Sequence, residues 1–206
     1  MACFDTSDKT SPGNYSPAHT ALLLTDFHQF LIENASGPVG KVAAEKASEL
    51  RTWAKSKGIK VVHSLIDLDA EPFETCKDFD RFRSVIRTMR ESSKGPEPAT
   101  LTSGTADPTF FRQPGTVSAL TAPGLEQYLR DNSIVSLIVA GLSTSGSVAR
   151  TVFAATDAKF VVTTISDACA DPDEALQDAF VNKVLGSRGY TATAAEFIEG
   201  YDKLTN

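Results

Sequence analysis

IVSLIVAGLSTSGSVART, Ile134 to Thr151, joins two patterns across one short turn. Its first part is a continuous apolar run, the form taken by a strand buried on both faces of a parallel sheet. A cluster of Gly, Ser and Thr follows, and apolar residues then return at helical spacing, as in a tight strand-to-helix connection capped by hydroxyls. The same strand-then-helix unit recurs on either side. HTALLLTD (19–26) is a short apolar run ending in a carboxylate. Apolar positions at helical spacing from Pro38 to Lys57 stop at Gly58, just before IKVVHSLID (59–67).

Further along, a helix around Phe79–Arg90 is followed by a Pro/Gly/Ser-rich excursion. A short strand then ends near Pro114, and a helix starts at Pro123. Beyond the quoted segment come a strand in KFVVTTISDA, a helix in DPDEALQDAFVNKVL, a short strand in GYTATA and a closing helix in AEFIEGYDKL. This alternation predicts a three-layer α/β/α fold of the doubly wound Rossmann type, around a central, mainly parallel six-stranded sheet. Residues 1–17, polar and broken by Pro12, Gly13 and Pro17, read as an N-terminal arm, and 18–206 as a single domain.

Composition narrows the function classes. A chain of 206 residues with 41% hydrophobic and 22% charged residues suits one globular domain. A net charge of −6 without a Lys/Arg run argues against nucleic acid as a partner. The polar start and the lack of a long apolar run predict neither a leader nor a membrane partner, and hence a cytoplasmic protein. Three cysteines, Cys3, Cys76 and Cys169, lack metal-ligand spacing, and only His19, His28 and His63 are present. Reduced thiols and no metal are expected.

In a doubly wound sheet, ligands bind beyond the carboxyl ends of the strands. That directs attention to Asp26, the stretch after Asp67, Arg112 to Ser118, and Leu142 to Ser147. A serine hydrolase of the nucleophile-elbow type does not fit, because GLSTSGSV is not G-x-S-x-G and no histidine follows His63. A small-residue turn opening a helix also suits an anion cradle, but no G-K-[ST] is present for a nucleotide triphosphate. Asp26 at a strand end can cap a turn or act as a general acid or base.

Taken together, ALLLTDFHQFL, GIKVVHSLID, VSALTAPGLEQYLRDNSI and SLIVAGLSTSGSVARTVFAATDAKFVVTTISDACAD resemble the isochorismatase-like (cysteine hydrolase) superfamily in register from about residue 20 to 195. The most specific part is G-x-x-T-x-x-[C]-V, followed by a helix, a strand and SDACAD. The resemblance implies a cofactor-free hydrolase of a small polar substrate, carboxamide or vinyl ether, and a homo-oligomer, dimer or tetramer.

Residue by residue, the resemblance places Asp26 at the family's acid/base position and Ser147 where the family carries its cysteine. It implies a cis peptide between Leu142 and Ser143 and an oxyanion hole from the N–H groups of Ser143 and Ser147. The family lysine maps to Pro114. Arg112, two residues earlier and on the same side of an extended strand, is the candidate replacement. Phe27, His28, Asp67, Arg81, Arg83, Ser118 and Leu120 are the candidate substrate-binding residues. Cys76 and Cys169 are packed thiols in this reading, and His63 is a core histidine.

Serine is far harder to ionise than cysteine, so three explanations of Ser147 stay open. The chain reads as a vinyl-ether hydrolase that needs no nucleophile, as a family member in which a cysteine was replaced by serine, or as a catalytically silent domain that binds a small ligand or partner.

Overall fold

The structure, a computed structural model, describes residues 4–104 and 106–205. Six parallel strands form one sheet: β1 (Thr20–Thr25), β2 (Lys60–Ile66), β3 (Thr109–Arg112), β4 (Ser136–Leu142), β5 (Val161–Ala170) and β6 (Tyr190–Ala192). Their order is β3-β2-β1-β4-β5-β6. The chain therefore winds outward from β1 in one direction and then returns to its other side. All residues of β1 and β4 are buried, as the unbroken apolar runs require of strands covered on both faces.

Side chains of β1 alternate between two cores. Leu22 and Leu24 join the helices α1 (Gly37–Ser56) and α7 (Ala194–Thr205), whereas Ala21 and Leu23 join α4 (Leu125–Asp131) and α5 (Ala149–Asp157). Between β2 and β3 the chain makes α2 (Phe79–Glu91) and the short α3 (Ala99–Thr102), and between β5 and β6 it makes α6 (Glu174–Ala179).

Two helix boundaries differ from the sequence expectation. α4 begins at Leu125, not Pro123, because Gly124 takes a left-handed φ of 83° that ends the preceding turn. The helix expected through DPDEALQDAFVNKVL is capped by Asp173 but loses α geometry after Ala179 and continues as wider and tighter turns to Ser187.

Among the described residues, the segment before β1 has no strand, only short turns, yet it is tied down. Phe4 packs at 5.2 Å from the Phe197 ring and 6.4 Å from Tyr201. The Tyr201 hydroxyl donates to the Tyr15 carbonyl at 3.1 Å. No helix among the described residues is long and apolar enough to cross a membrane.

A buried ionic cluster fixes β3 against α1. Asp107 accepts Arg51 Nη2 and Lys55 Nζ, each at 2.6 Å. His63 lies beside it, with Nδ1 at 2.8 Å from Glu97 and Nε2 at 3.6 Å from Asp107. Burial alone would push the Asp107 carboxyl up, but hydrogen bonds from Lys55 and Arg51 override it and hold the group below the usual carboxylate range.

A carboxyl depressed in the folded state adds stability above its unfolded value of about 4, and that contribution is lost as the pH falls through the folded value. Asp107→Asn should therefore cost about 2 kcal/mol at pH 7, below the range for a fully enclosed pair because Lys55 reaches solvent. In urea titrations the gap between the two proteins should close below about pH 4. A gap that stays constant down to pH 2 would show that Asp107 acts only through packing.

Candidate active site

β1 and β4 are neighbours from which the chain departs in opposite directions, so their carboxyl ends frame the switch-point crevice. Asp26 follows β1 directly. Its φ of 60° turns the chain out of the strand, a conformation Asp tolerates better than most residues, and its N–H donates to the Ser64 carbonyl at 3.0 Å.

Arg112 ends β3, two strands away. Its Nη1 and Nη2 donate to Asp26 Oδ1 and Oδ2, each at 2.6 Å, and its Nε donates to the Thr116 carbonyl at 3.1 Å. Both residues are at most 3% exposed. This is the parallel, two-bond geometry that a planar guanidinium offers a carboxylate and a lysine cannot reproduce. Arg112 is thus enclosed and paired, although it sits on an edge strand.

After β4 the Leu142–Ser143 peptide is cis, and Thr144–Val148 forms a single wide helical turn before α5. Three of its hydroxyls have separate partners. Thr144 Oγ1 donates to Gln177 Oε1 at 2.6 Å. Ser145 gives both its N–H (2.9 Å) and its hydroxyl (2.5 Å) to Asp171 Oδ2. Ser147, 3% exposed, shares a hydrogen bond with the hydroxyl of Thr25. Thr25 is the chain neighbour of Asp26, so the Ser147 turn and the Asp26–Arg112 pair meet at the end of β1.

Gly141 lets them meet. It pairs with Thr25 across β1 and β4, and a Cβ there would lie 2.4 Å from the Thr25 carbonyl oxygen and 3.1 Å from its Cγ2. Both strands are buried and cannot give way cheaply. Gly141→Ala should cost about 1–3 kcal/mol in denaturant unfolding. A stability within 0.5 kcal/mol or so of the parent would contradict this close approach.

The expected substrate-binding residues separate into several places. Phe27 is fully buried in the core beneath α1. His28 is buried too: its Nε2 accepts the Ile66 N–H at 3.1 Å and its Nδ1 meets the Gly95 carbonyl, which assigns the proton to Nδ1. Asp67 donates its N–H to the Arg112 carbonyl at 2.9 Å and, with His28 and Phe111, lines a cavity of about 490 Å³ at the β3 edge.

Ser118 caps the turn that carries Leu120, beside the Ala119 N–H bond to Thr151 Oγ1 of 2.8 Å. This places both against α5, close to the Ser147 turn. Arg81 and Arg83 are exposed on α2, where Arg83 pairs with Glu71 at 3.2 Å. Burial pushes the Cys169 thiol up to about 12, which leaves it a packed thiol without nucleophilic character. Among the described residues, no group of three or more His, Cys, Asp or Glu is placed to hold a metal ion.

Thr25, Asp171 and Gln177 were not singled out by the sequence. The only local signals were a hydroxyl next to Asp26 and the final Asp of SDACAD.

The model of the isochorismatase domain matches residues 20–196. The chain belongs to the isochorismatase family. Solved structures agree on the fold of this isochorismatase domain. An isochorismatase family protein from Burkholderia thailandensis is 18% identical, with a TM-score of 0.76 over 90% of this chain and 96% of that one. A cysteine hydrolase from Pseudomonas syringae pv. phaseolicola 1448A is 17% identical, with a TM-score of 0.73 over 92% and 95%. N-carbamoylsarcosine amidase from Thermoplasma acidophilum is 16% identical, with a TM-score of 0.64 over 85% and 96%. Among curated proteins none matches this chain.

Proposed function

We propose that this isochorismatase-family chain hydrolyses a small carboxamide, with Ser147 at the attacking position and Asp26 as the proton-transferring carboxylate. The observation that carries the reading is the two-bond pair between Asp26 and Arg112. A carboxylate that accepts two guanidinium N–H groups is acceptor-only, and each oxygen keeps a second lone pair for an incoming proton. Such a group has lone pairs that can accept a proton and no proton to give. It is poorly suited to begin a reaction by protonating a vinyl ether.

In this mechanism the Ser147 hydroxyl oxygen bonds to the carbonyl carbon while its proton passes to Asp26. The N–H groups of Ser143 and Ser147 receive the developing oxyanion. Asp26 returns the proton to the departing amine, and water then cleaves the ester. Arg112 remains charged throughout and balances the carboxylate without exchanging protons. Ser145 and Thr144, anchored to Asp171 and Gln177, hold the turn that presents these N–H groups.

The test is turnover of a panel of small carboxamides, and of isochorismate as the vinyl ether, by the parent chain and by Ser147→Ala. Carboxamide turnover that disappears in Ser147→Ala supports the reading. Isochorismate turnover that survives Ser147→Ala would overturn it in favour of the vinyl-ether route.

A further inference from the structure

At the other end of the sheet from Asp26, where β5 and β6 begin, lies a cavity of about 520 Å³. That volume falls within the range of small-molecule sites. The N-terminal arm forms one wall through Lys9 and Thr10, and the β5 and β6 entrances supply Lys159, Arg188 and Tyr190. None of the residues around it belongs to the Asp26, Arg112 and Ser147 cluster.

Its charge is one-sided. Lys9, Lys159 and Arg188 line the cavity, and no carboxylate does. None of the three forms an ion pair among the described residues. Asp8, the acid next to Lys9 in the chain, is engaged by the N–H and hydroxyl of Thr10, each at 2.8 Å. In a chain of net charge −6, three exposed cations around one concavity with no carboxylate give it a local positive potential.

The remaining lining is aromatic and small. Tyr190 presents a half-buried ring, whereas the Phe160 ring is buried and packs under the Arg130 guanidinium at 4.0 Å. Gly189 sits against β5 so closely that a Cβ would lie 2.6 Å from the Val162 carbonyl oxygen, whereas a Cβ at Gly186 would meet nothing within 4 Å.

We infer that this cavity binds a small molecule carrying a phosphate or paired carboxylates beside an aromatic ring. Arg188 offers the anion paired N–H groups, Lys9 and Lys159 add point charges, and Tyr190 covers the ring. The site is separate from the hydrolytic centre and does not depend on its chemistry.

Calorimetric titration of the full chain with phenyl phosphate, phthalate and inorganic phosphate tests it. One of the two aromatic anions should bind with one-to-one stoichiometry, at least about tenfold more tightly than inorganic phosphate, and the tighter one identifies the anionic group. The double variant Lys159→Glu, Arg188→Glu should weaken it at least about tenfold, with an unchanged melting temperature because both side chains are exposed. Ser147→Ala should bind as the parent does, whatever its hydrolytic activity. The inference is overturned if no anion binds saturably, if inorganic phosphate binds as tightly as the aromatic anions, if the charge reversals leave affinity unchanged, or if Ser147→Ala abolishes binding.

Discussion

Arg112→Met should destabilise the domain by about 3–5 kcal/mol, the range seen when one partner of a buried ion pair is removed. The variant leaves the Asp26 carboxylate enclosed, with two hydrogen bonds lost and no solvent to replace them. It also strips the Thr116 carbonyl of its donor. Arg112 spans β3 to the end of β1, so the loss falls on contacts that hold the edge of the sheet to its centre.

Removing both charges should behave differently. Asp26→Leu combined with Arg112→Met deletes the orphaned carboxylate along with the cation, and apolar replacement of a whole buried pair is often neutral or favourable. The double variant should therefore recover most of what the single one loses. Urea unfolding of the parent, the single variant and the double variant measures this directly. A single-variant loss below about 1 kcal/mol would mean that the pair is as weak as an exposed one.

Asp26→Asn should lower kcat for the proposed carboxamide substrate by about 10²- to 10⁴-fold at pH 7, the usual worth of a positioned acid–base group. Asparagine keeps the shape of the side chain but cannot accept the proton that Ser147 loses in the proposed reaction. Its amide NH₂ also faces a guanidinium that only donates. Because the substrate is still held by the rest of the site, KM should change far less than kcat.

The measurement belongs well below the variant's own unfolding transition, since Asp26→Asn also leaves Arg112 unbalanced. A kcat within threefold or so of the parent would remove Asp26 from the reaction. A large rise in KM at constant kcat would make it a binding residue instead.

The layout of the fold was legible because its determinants are local. Unbroken apolar runs at Leu22–Leu24 and Leu137–Ala140 announce strands covered on both sides, and the apolar spacing through Ala43, Ala47, Leu50 and Ala54 announces the helix that covers one of them. Where local signals misled, the reason was local as well. Pro123 is a good first residue for a helix, but Gly124 behind it adopts φ 83° and delays the start to Leu125.

The site was legible only in part. Asp26 directly follows β1 and Ser147 lies in the turn after β4, where a parallel sheet exposes its binding crevice. Phe27, adjacent to Asp26, shows the limit of that argument. The left-handed turn at Asp26 sends the next side chain into the core. No spacing rule carries such information.

By itself the sequence determined the alternation of strands and helices, the two faces of each strand, and the family, because periodicity and short motifs are written within a few residues. Only the tertiary structure decided that Arg112 clasps Asp26 from 86 residues away, that Thr25 meets Ser147 across 122, and that Asp171 holds Ser145. Those contacts depend on the β3-β2-β1-β4-β5-β6 strand order and on Gly141 admitting the Thr25 carbonyl. They are properties of how distant segments pack, and no local pattern encodes them.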